Sequence, residues 1–175
     1  MRLIRILSSD DPLLAQVPGL YEESFPDMAR IDSKRFLRLI DECPEMTFNV
    51  ILDNEQFCGM AVLWELEVFR YFEYFATMPS CRNKGLGASV LKKVLAESNL
   101  PVVGEVEPPE TEIQKRRLRY YERNGIHIEM KNPTILNDYH NDNLLYLVST
   151  QPLDNPDECQ RIIIEKVYNK MYNID

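Results

Sequence analysis

The stretch from Phe72 to Ser98 limits the fold more than any other part of this 175-residue chain. Phe72-Glu73-Tyr74-Phe75-Ala76-Thr77-Met78 is dense in aromatic residues and stops at Pro79, as an extended strand does. Ala88–Ser98 carries Val90, Leu91, Val94 and Leu95 at helical spacing. Between them lies Ser80-Cys81-Arg82-Asn83-Lys84-Gly85-Leu86-Gly87, a loop that opens directly into the helix. The first N–H groups of a helix have no partner within it, and the helix dipole adds positive potential there. A loop of this kind therefore suits an anion such as a pyrophosphate. Gly85 and Gly87 let backbone approach the phosphates with no Cβ in the way, and Arg82 and Lys84 add positive charge.

The rest of the chain frames this unit without repeats or linker-like tracts. Residues 2–7 read as a first strand, and Asp11-Pro12 as a cap with proline in the first turn of a helix that breaks or restarts at Pro18-Gly19. A second helix begins near Asp32 or Ser33, with Phe36, Leu37 and Ile40 on its buried stripe. Residues 48–52 and 57–67 flank Asp53-Asn54-Glu55 and read as a hairpin. Residues 101–107 return to strand. Thr111-Glu112-Ile113-Gln114 fits a capping box, and Gly125 suits the far end of that helix. Residues 126–130 and 144–150 would be strands, and Asn155-Pro156 opens an amphipathic C-terminal helix through Tyr172. The sum is a mixed sheet with helices on its faces, an α/β or α+β domain.

Composition narrows the function. Apolar residues make up 45% and charged residues 27%, the balance of a globular chain. The net charge of −8 argues against nucleic acid or an anionic membrane as partner and favours cationic ones. Cys43, Cys58, Cys81 and Cys159 are scattered, without C-x-x-C or metal-type spacing, and His127 and His140 belong to no cluster, so no metal site is expected. No run is long enough to span a bilayer, and the start is too short and charged for a signal peptide, which points to the cytoplasm.

Other phosphate loops fit poorly. A Walker A loop is absent, and a dinucleotide fingerprint would need a small residue where Val90 stands. Arg82-Asn83-Lys84-Gly85-Leu86-Gly87 instead resembles, position for position, the R/Q-x-x-G-x-G/A loop of the GNAT acetyltransferases. About thirty residues on, Arg119-Tyr120-Tyr121-Glu122-Arg123-Asn124-Gly125-Ile126 resembles the family's later f-Y-E-x-x-G-F segment. Phe25-Pro26 is similar to its substrate-side loop. The resemblance covers roughly residues 1–150, taken as the acetyltransferase domain, with 151–175 as a helical extension packed on it. A homodimer contact and a lid over the sheet are the two roles open to that extension.

The resemblance implies a mostly antiparallel central sheet, splayed where acetyl-CoA binds, and an acyltransferase that moves acetyl from acetyl-CoA to an amine. It puts the backbone N–H of Phe75 on the thioester carbonyl, Thr77 beside the pantetheine amides, and residues Arg82, Asn83, Lys84, Gly85, Leu86 and Gly87 around the pyrophosphate. Gln114 stands where the family usually has an asparagine that contacts pantetheine, and Ile126 where it has phenylalanine. Tyr121 matches the tyrosine that protonates the departing thiolate, whereas a packing role fits Tyr120 better.

Alternation puts Tyr71, Glu73, Phe75 and Thr77 on one face of the strand. A carboxylate amid Phe72, Tyr74 and Phe75 is costly to bury without a purpose, which makes Glu73 the candidate general base or ammonium anchor. Glu105 and Glu107 are the competing carboxylates. A small cationic amine is the expected acceptor, given Asp27, Glu73, Glu105, Glu107, Asp138 and Asp142 on substrate-side segments. A peptide or protein amine, and a non-catalytic acyl-CoA-binding module, are the alternatives.

Overall fold

The computed structural model describes residues 1–25, 27, 30–82, 85–131 and 145–172. Its strands are β1 (Arg2–Ile6), β2 (Met46–Asp53), β3 (Gln56–Glu65), β4 (Arg70–Thr77), β5 (Val102–Val106), β6 (His127–Met130) and β7 (Tyr146–Ser149). They form one sheet in the order β1-β2-β3-β4-β5-β7-β6. The fold is mixed α/β, its mostly antiparallel sheet flanked by helices. By contacts the chain divides into two compact units, residues 1–66 with 72–98 and residues 67–71 with 99–175.

In the first unit, β1 pairs antiparallel with β2, and β2 with β3. The hairpin turn is tighter than the expected tripeptide: Asp53 pairs with Gln56, leaving Asn54 (φ 49°) and Glu55 (φ 61°) as a two-residue turn. Two positive φ values give the turn whose twist matches that of its strands. Asp11 caps a 3₁₀ turn (Pro12–Gln16), after which α1 (Val17–Ser24) restarts with Pro18 in its first turn. The side chain of Asp32 caps α2 (Ser33–Glu42) by accepting from Arg35 N at 3.0 Å. Its buried stripe is Phe36, Leu39 and Ile40; Leu37, expected there, is half-buried, because the core-facing line follows i, i+3, i+4 from Phe36.

Helix α3 (Leu86–Ala96) lays Leu86, Val90 and Val94 on Ile51, Cys58, Ala61 and Leu63 of β2 and β3, with Phe72 and Phe75 against the same cluster. Burying Val90 and Val94 is worth about 1.5–3 kcal/mol each. This packing fixes where the loop between β4 and α3 ends. The approach of β3 to β4 depends on Gly59: a Cβ there would lie 2.2 Å from the Ala76 carbonyl oxygen and 3.0 Å from Thr77 Cα. Both are backbone atoms and cannot swing away. Gly59→Ala is therefore expected to destabilise the fold by about 1–3 kcal/mol. Urea unfolding, followed through the fluorescence of the fully buried Trp64, measures it; an unchanged midpoint would refute the close approach.

In the second unit, β7 pairs antiparallel with both β5 and β6. The capping box holds at α4 (Glu112–Arg123), and Gly125 follows the helix at φ 80°. Asn155 caps α5 (Pro156–Ile163), one π-helical turn (Ile164–Tyr168) follows, and α6 (Asn169–Tyr172) completes the run. The sequence pattern did not reveal the π turn. A π turn adds a residue per turn, and across it Ile163, Ile164, Val167, Tyr168 and Met171 are all buried.

Candidate active site

Strand β4 carries the first group of expected site residues. Tyr74 and Ala76 are buried, while Glu73, Phe75 and Thr77 between them are half-buried, as alternation requires. Tyr74 sits in an aromatic cluster, with ring centroids 5.1 Å from Tyr21, 4.7 Å from Phe25 and 5.3 Å from Phe36. Its hydroxyl accepts from Tyr21 at 3.3 Å, and Tyr21 in turn accepts from Ile31 N at 3.2 Å. Burial pushes the Tyr21 phenol up to about 12, and the charge of Glu73 adds to that rise. Strict alternation fails at two points. Phe72 packs beside Phe75, with centroids 5.7 Å apart, and Tyr71 is buried rather than half-open.

The loop after β4 is built from short local bonds. Met78 N donates to Cys58 O at 2.8 Å, and Cys81 N to Met78 O at 2.9 Å, closing a 3₁₀ turn over Pro79–Cys81. Arg82 Nε donates to Thr77 O at 3.1 Å, so the expected phosphate-side arginine also ties the loop to the strand end. That bond uses one lone pair of the Thr77 carbonyl. Asn83 and Lys84 lie outside the described residues, as do Pro26, His140, Asp138 and Asp142.

Gly85 is the N-cap of α3, in the left-handed region at φ 74°. The helix thus begins at Leu86, two residues before the sequence expectation, and Gly87 lies in its first turn rather than in the loop. No side chain caps this end and its first turn holds no acidic residue. Among the described residues, chain neighbours aside, a Cβ on Gly85 would meet nothing within 4 Å. Among the described residues no side chain blocks this end, and a helix end of that kind suits a phosphate oxygen.

The second unit holds the remaining expected residues. The Gln114 side chain accepts from Thr111 N at 2.7 Å and Glu110 N at 3.2 Å, so its Oε1 serves the cap and its amide NH₂ is the end that can donate to an acceptor such as a ligand carbonyl. Tyr121 is half-buried on α4, and its phenol is raised above its ordinary value by burial, with Arg117 pulling it down and Glu107 pushing it up. Arg117 Nη1 and Glu107 Oε2 form an ion pair. The Tyr120 ring meets that of Tyr121 edge-on at 5.4 Å, and burial pushes its phenol up to about 12. Its hydroxyl is buried with no hydrogen-bond partner among the described residues, in keeping with a packed aromatic.

Of the competing carboxylates, Glu107 belongs to that ion pair. Glu105 Oε2 accepts from Tyr71 at 2.6 Å and also from Tyr168 in the π turn. Sequence reasoning missed both tyrosines as partners of Glu105. The three residues are distant in the chain, and nothing local in the pattern links them.

A family model for the GNAT acetyltransferases matches residues 16–126, more than half of the chain. The chain belongs to that family. GNAT acetyltransferases use acetyl-CoA as co-substrate, so this chain is an acyltransferase dependent on it. No curated protein sequence matches it. Among solved structures, a protein described as a GNAT-family acetyltransferase from Bacteroides thetaiotaomicron is 25% identical, with a TM-score of 0.78 over 100% of both chains. A spermidine N-acetyltransferase mutant from Vibrio cholerae is 15% identical, with a TM-score of 0.63 over 85% of this chain and 94% of that one. An aminoglycoside 6'-N-acetyltransferase in complex with coenzyme A is 14% identical, with a TM-score of 0.61 over 90% of this GNAT chain and 100% of its own. At these last two identities the likeness is one of fold. Among the described residues no helix is long and apolar enough to cross a membrane, and no three metal-ligating side chains cluster.

Proposed function

We propose that this acetyltransferase moves acetyl directly from acetyl-CoA to a primary amine of a small cationic acceptor. The observation that carries the reading is the continuity of β4 with its loop. A half-buried carboxylate, Glu73, stands on the same strand face as Phe75 and Thr77, and the strand runs into a helix end open to phosphate. The amine nitrogen attacks the thioester carbonyl carbon, the C–S bond breaks, and the thiolate leaves as CoA. Glu73 takes the ammonium proton, directly or through water, and Tyr121 gives its proton to the thiolate. Phe75 N–H polarises the thioester carbonyl, Thr77 and Gln114 orient pantetheine, and Arg82, Asn83, Lys84, Gly85, Leu86 and Gly87 hold the pyrophosphate.

The net charge of −8 supports a cationic acceptor, and two of the solved neighbours are named for spermidine and for an aminoglycoside, both of which carry several basic amines. Four free cysteines support a reducing, cytoplasmic setting. Residues 1–150 are taken as the catalytic domain and 151–175 as its extension. The test is CoA release with a panel of polyamines, aminoglycosides and peptides. Turnover of a small amine is expected. Turnover of peptides alone would shift the acceptor class, and tight acetyl-CoA binding without turnover would make this a binding module.

Tyr121→Phe keeps the ring and removes the donor, so turnover is expected to fall at least roughly tenfold with acetyl-CoA affinity unchanged. Because burial raises the phenol, Tyr121 stays protonated through neutral pH, and no alkaline fall in rate below pH ~10 is expected from it. Loss of thermal stability in place of rate would make Tyr121 a packing residue.

A further inference from the structure

Proton transfer from Tyr121 to a thiolate runs against the ordinary order of acidities, since a phenol has a pKa of about 10 and a thiol about 8.5. Burial of Tyr121 makes the transfer harder still. Something nearby has to favour the phenolate that the transfer leaves behind. Arg117 lies four residues before Tyr121 on α4, which puts the two side chains on one helix face, one turn apart. Its guanidinium is held by the carboxylate of Glu107, which follows β5, so the charge is fixed at the helix surface instead of sweeping through solvent. Among the described residues Glu107 and Tyr120 are the other titratable groups recorded beside Tyr121; Glu107 opposes the phenolate, and Tyr120 is a neutral phenol at working pH.

We propose that Arg117, anchored by Glu107, is a positioning residue whose charge stabilises the Tyr121 phenolate as the proton passes to the thiolate of CoA. The balance is simple. The O–H bond of Tyr121 breaks, an S–H bond forms, and the phenolate later regains a proton from water. In this role Arg117 acts through Tyr121 and makes or breaks no bond itself. It is half-exposed, so solvent screens it and the effect is a modest one.

The proposal rests on Tyr121 acting as the acid, and a double-mutant cycle separates the two. The wild type, Arg117→Gln, Tyr121→Phe and the double variant are assayed with acetyl-CoA and whichever amine the wild type turns over, and with CoA release in water alone if there is none. Arg117→Gln is expected to lower kcat roughly threefold to tenfold, with KM for both substrates unchanged, and Arg117→Lys to restore most of it. In the Tyr121→Phe background Arg117→Gln is expected to do nothing further, because no phenolate remains to stabilise. Equal losses in both backgrounds would overturn the proposal, as would failure of lysine to rescue. A Tyr121→Phe enzyme at wild-type rate would sink the acid assignment itself. A slow Tyr121→Phe enzyme beside a fully active Arg117→Gln would sink only the role of Arg117. Carbon-13 tyrosine NMR, assigned with Tyr121→Phe, gives a readout free of turnover: the Tyr121 titration should move to higher pH in Arg117→Gln, and an unmoved titration overturns the link.

Discussion

Gly85→Val is expected to abolish acetyl-CoA binding in a protein that still folds. The residue caps α3 at φ 74°, a conformation that costs a β-branched residue roughly 1–3 kcal/mol. Among the described residues, chain neighbours aside, nothing lies within 4 Å of the new Cβ, so strain is the folding penalty they show. The branched side chain instead stands over the first N–H groups of the helix, in the space a phosphate oxygen would take. Gly85→Asn separates the two effects, since asparagine tolerates positive φ but still obstructs. Both variants are expected to lose calorimetric binding of CoA, with the valine variant the less stable. A folded variant with wild-type affinity would move the phosphate site away from this helix end.

Glu73→Gln is expected to lower turnover roughly 10²–10⁴-fold, the range for loss of a general base. Glutamine keeps the size and packing of the side chain but neither accepts a proton nor attracts an ammonium. Affinity for acetyl-CoA is expected to hold, and the acidic limb of the pH–rate profile to move or flatten. Of the competing carboxylates, Glu107 pairs with Arg117 and one oxygen of Glu105 accepts from two tyrosines. A variant at wild-type rate and profile would pass the role to one of these two or to bulk water.

The parts of the fold that were legible in the sequence are those whose cause lies within a few residues. The Thr111–Gln114 capping box, the Asp11 and Asn155 caps and the existence, though not the length, of the turn between β2 and β3 each follow from local hydrogen bonding or local φ. The start of α3 was misplaced by two residues because Gly85 can cap a helix with backbone alone, which leaves no capping side chain to read. The pattern does not separate Leu37 from Leu39, because two leucines flank the same stripe and only the packed helix chooses between them. The anion loop and Tyr121 were legible as short motifs. The surroundings of Tyr121, and the tyrosines on Glu105, were not, because they join elements that the chain separates by ten to nearly a hundred residues. Gly59 was overlooked for the same reason: its neighbour is the backbone of another strand.

The hydrogen-bonded knot of Tyr71, Glu105 and Tyr168 sets an order on biosynthesis. Its members stand 34, 63 and 97 residues apart in the pairs Tyr71–Glu105, Glu105–Tyr168 and Tyr71–Tyr168. On the ribosome the first unit, residues 1–66 with 72–98, can gather its core while the rest is still being translated. Residues 67–71 cannot. Tyr71 can meet Glu105 once β5 has emerged, but its second partner, Tyr168, follows it by 97 residues, so the knot stays incomplete for that length of elongation. At roughly 5–20 residues per second, that is an interval of seconds in which the Tyr71–Glu105 pair waits for its last member.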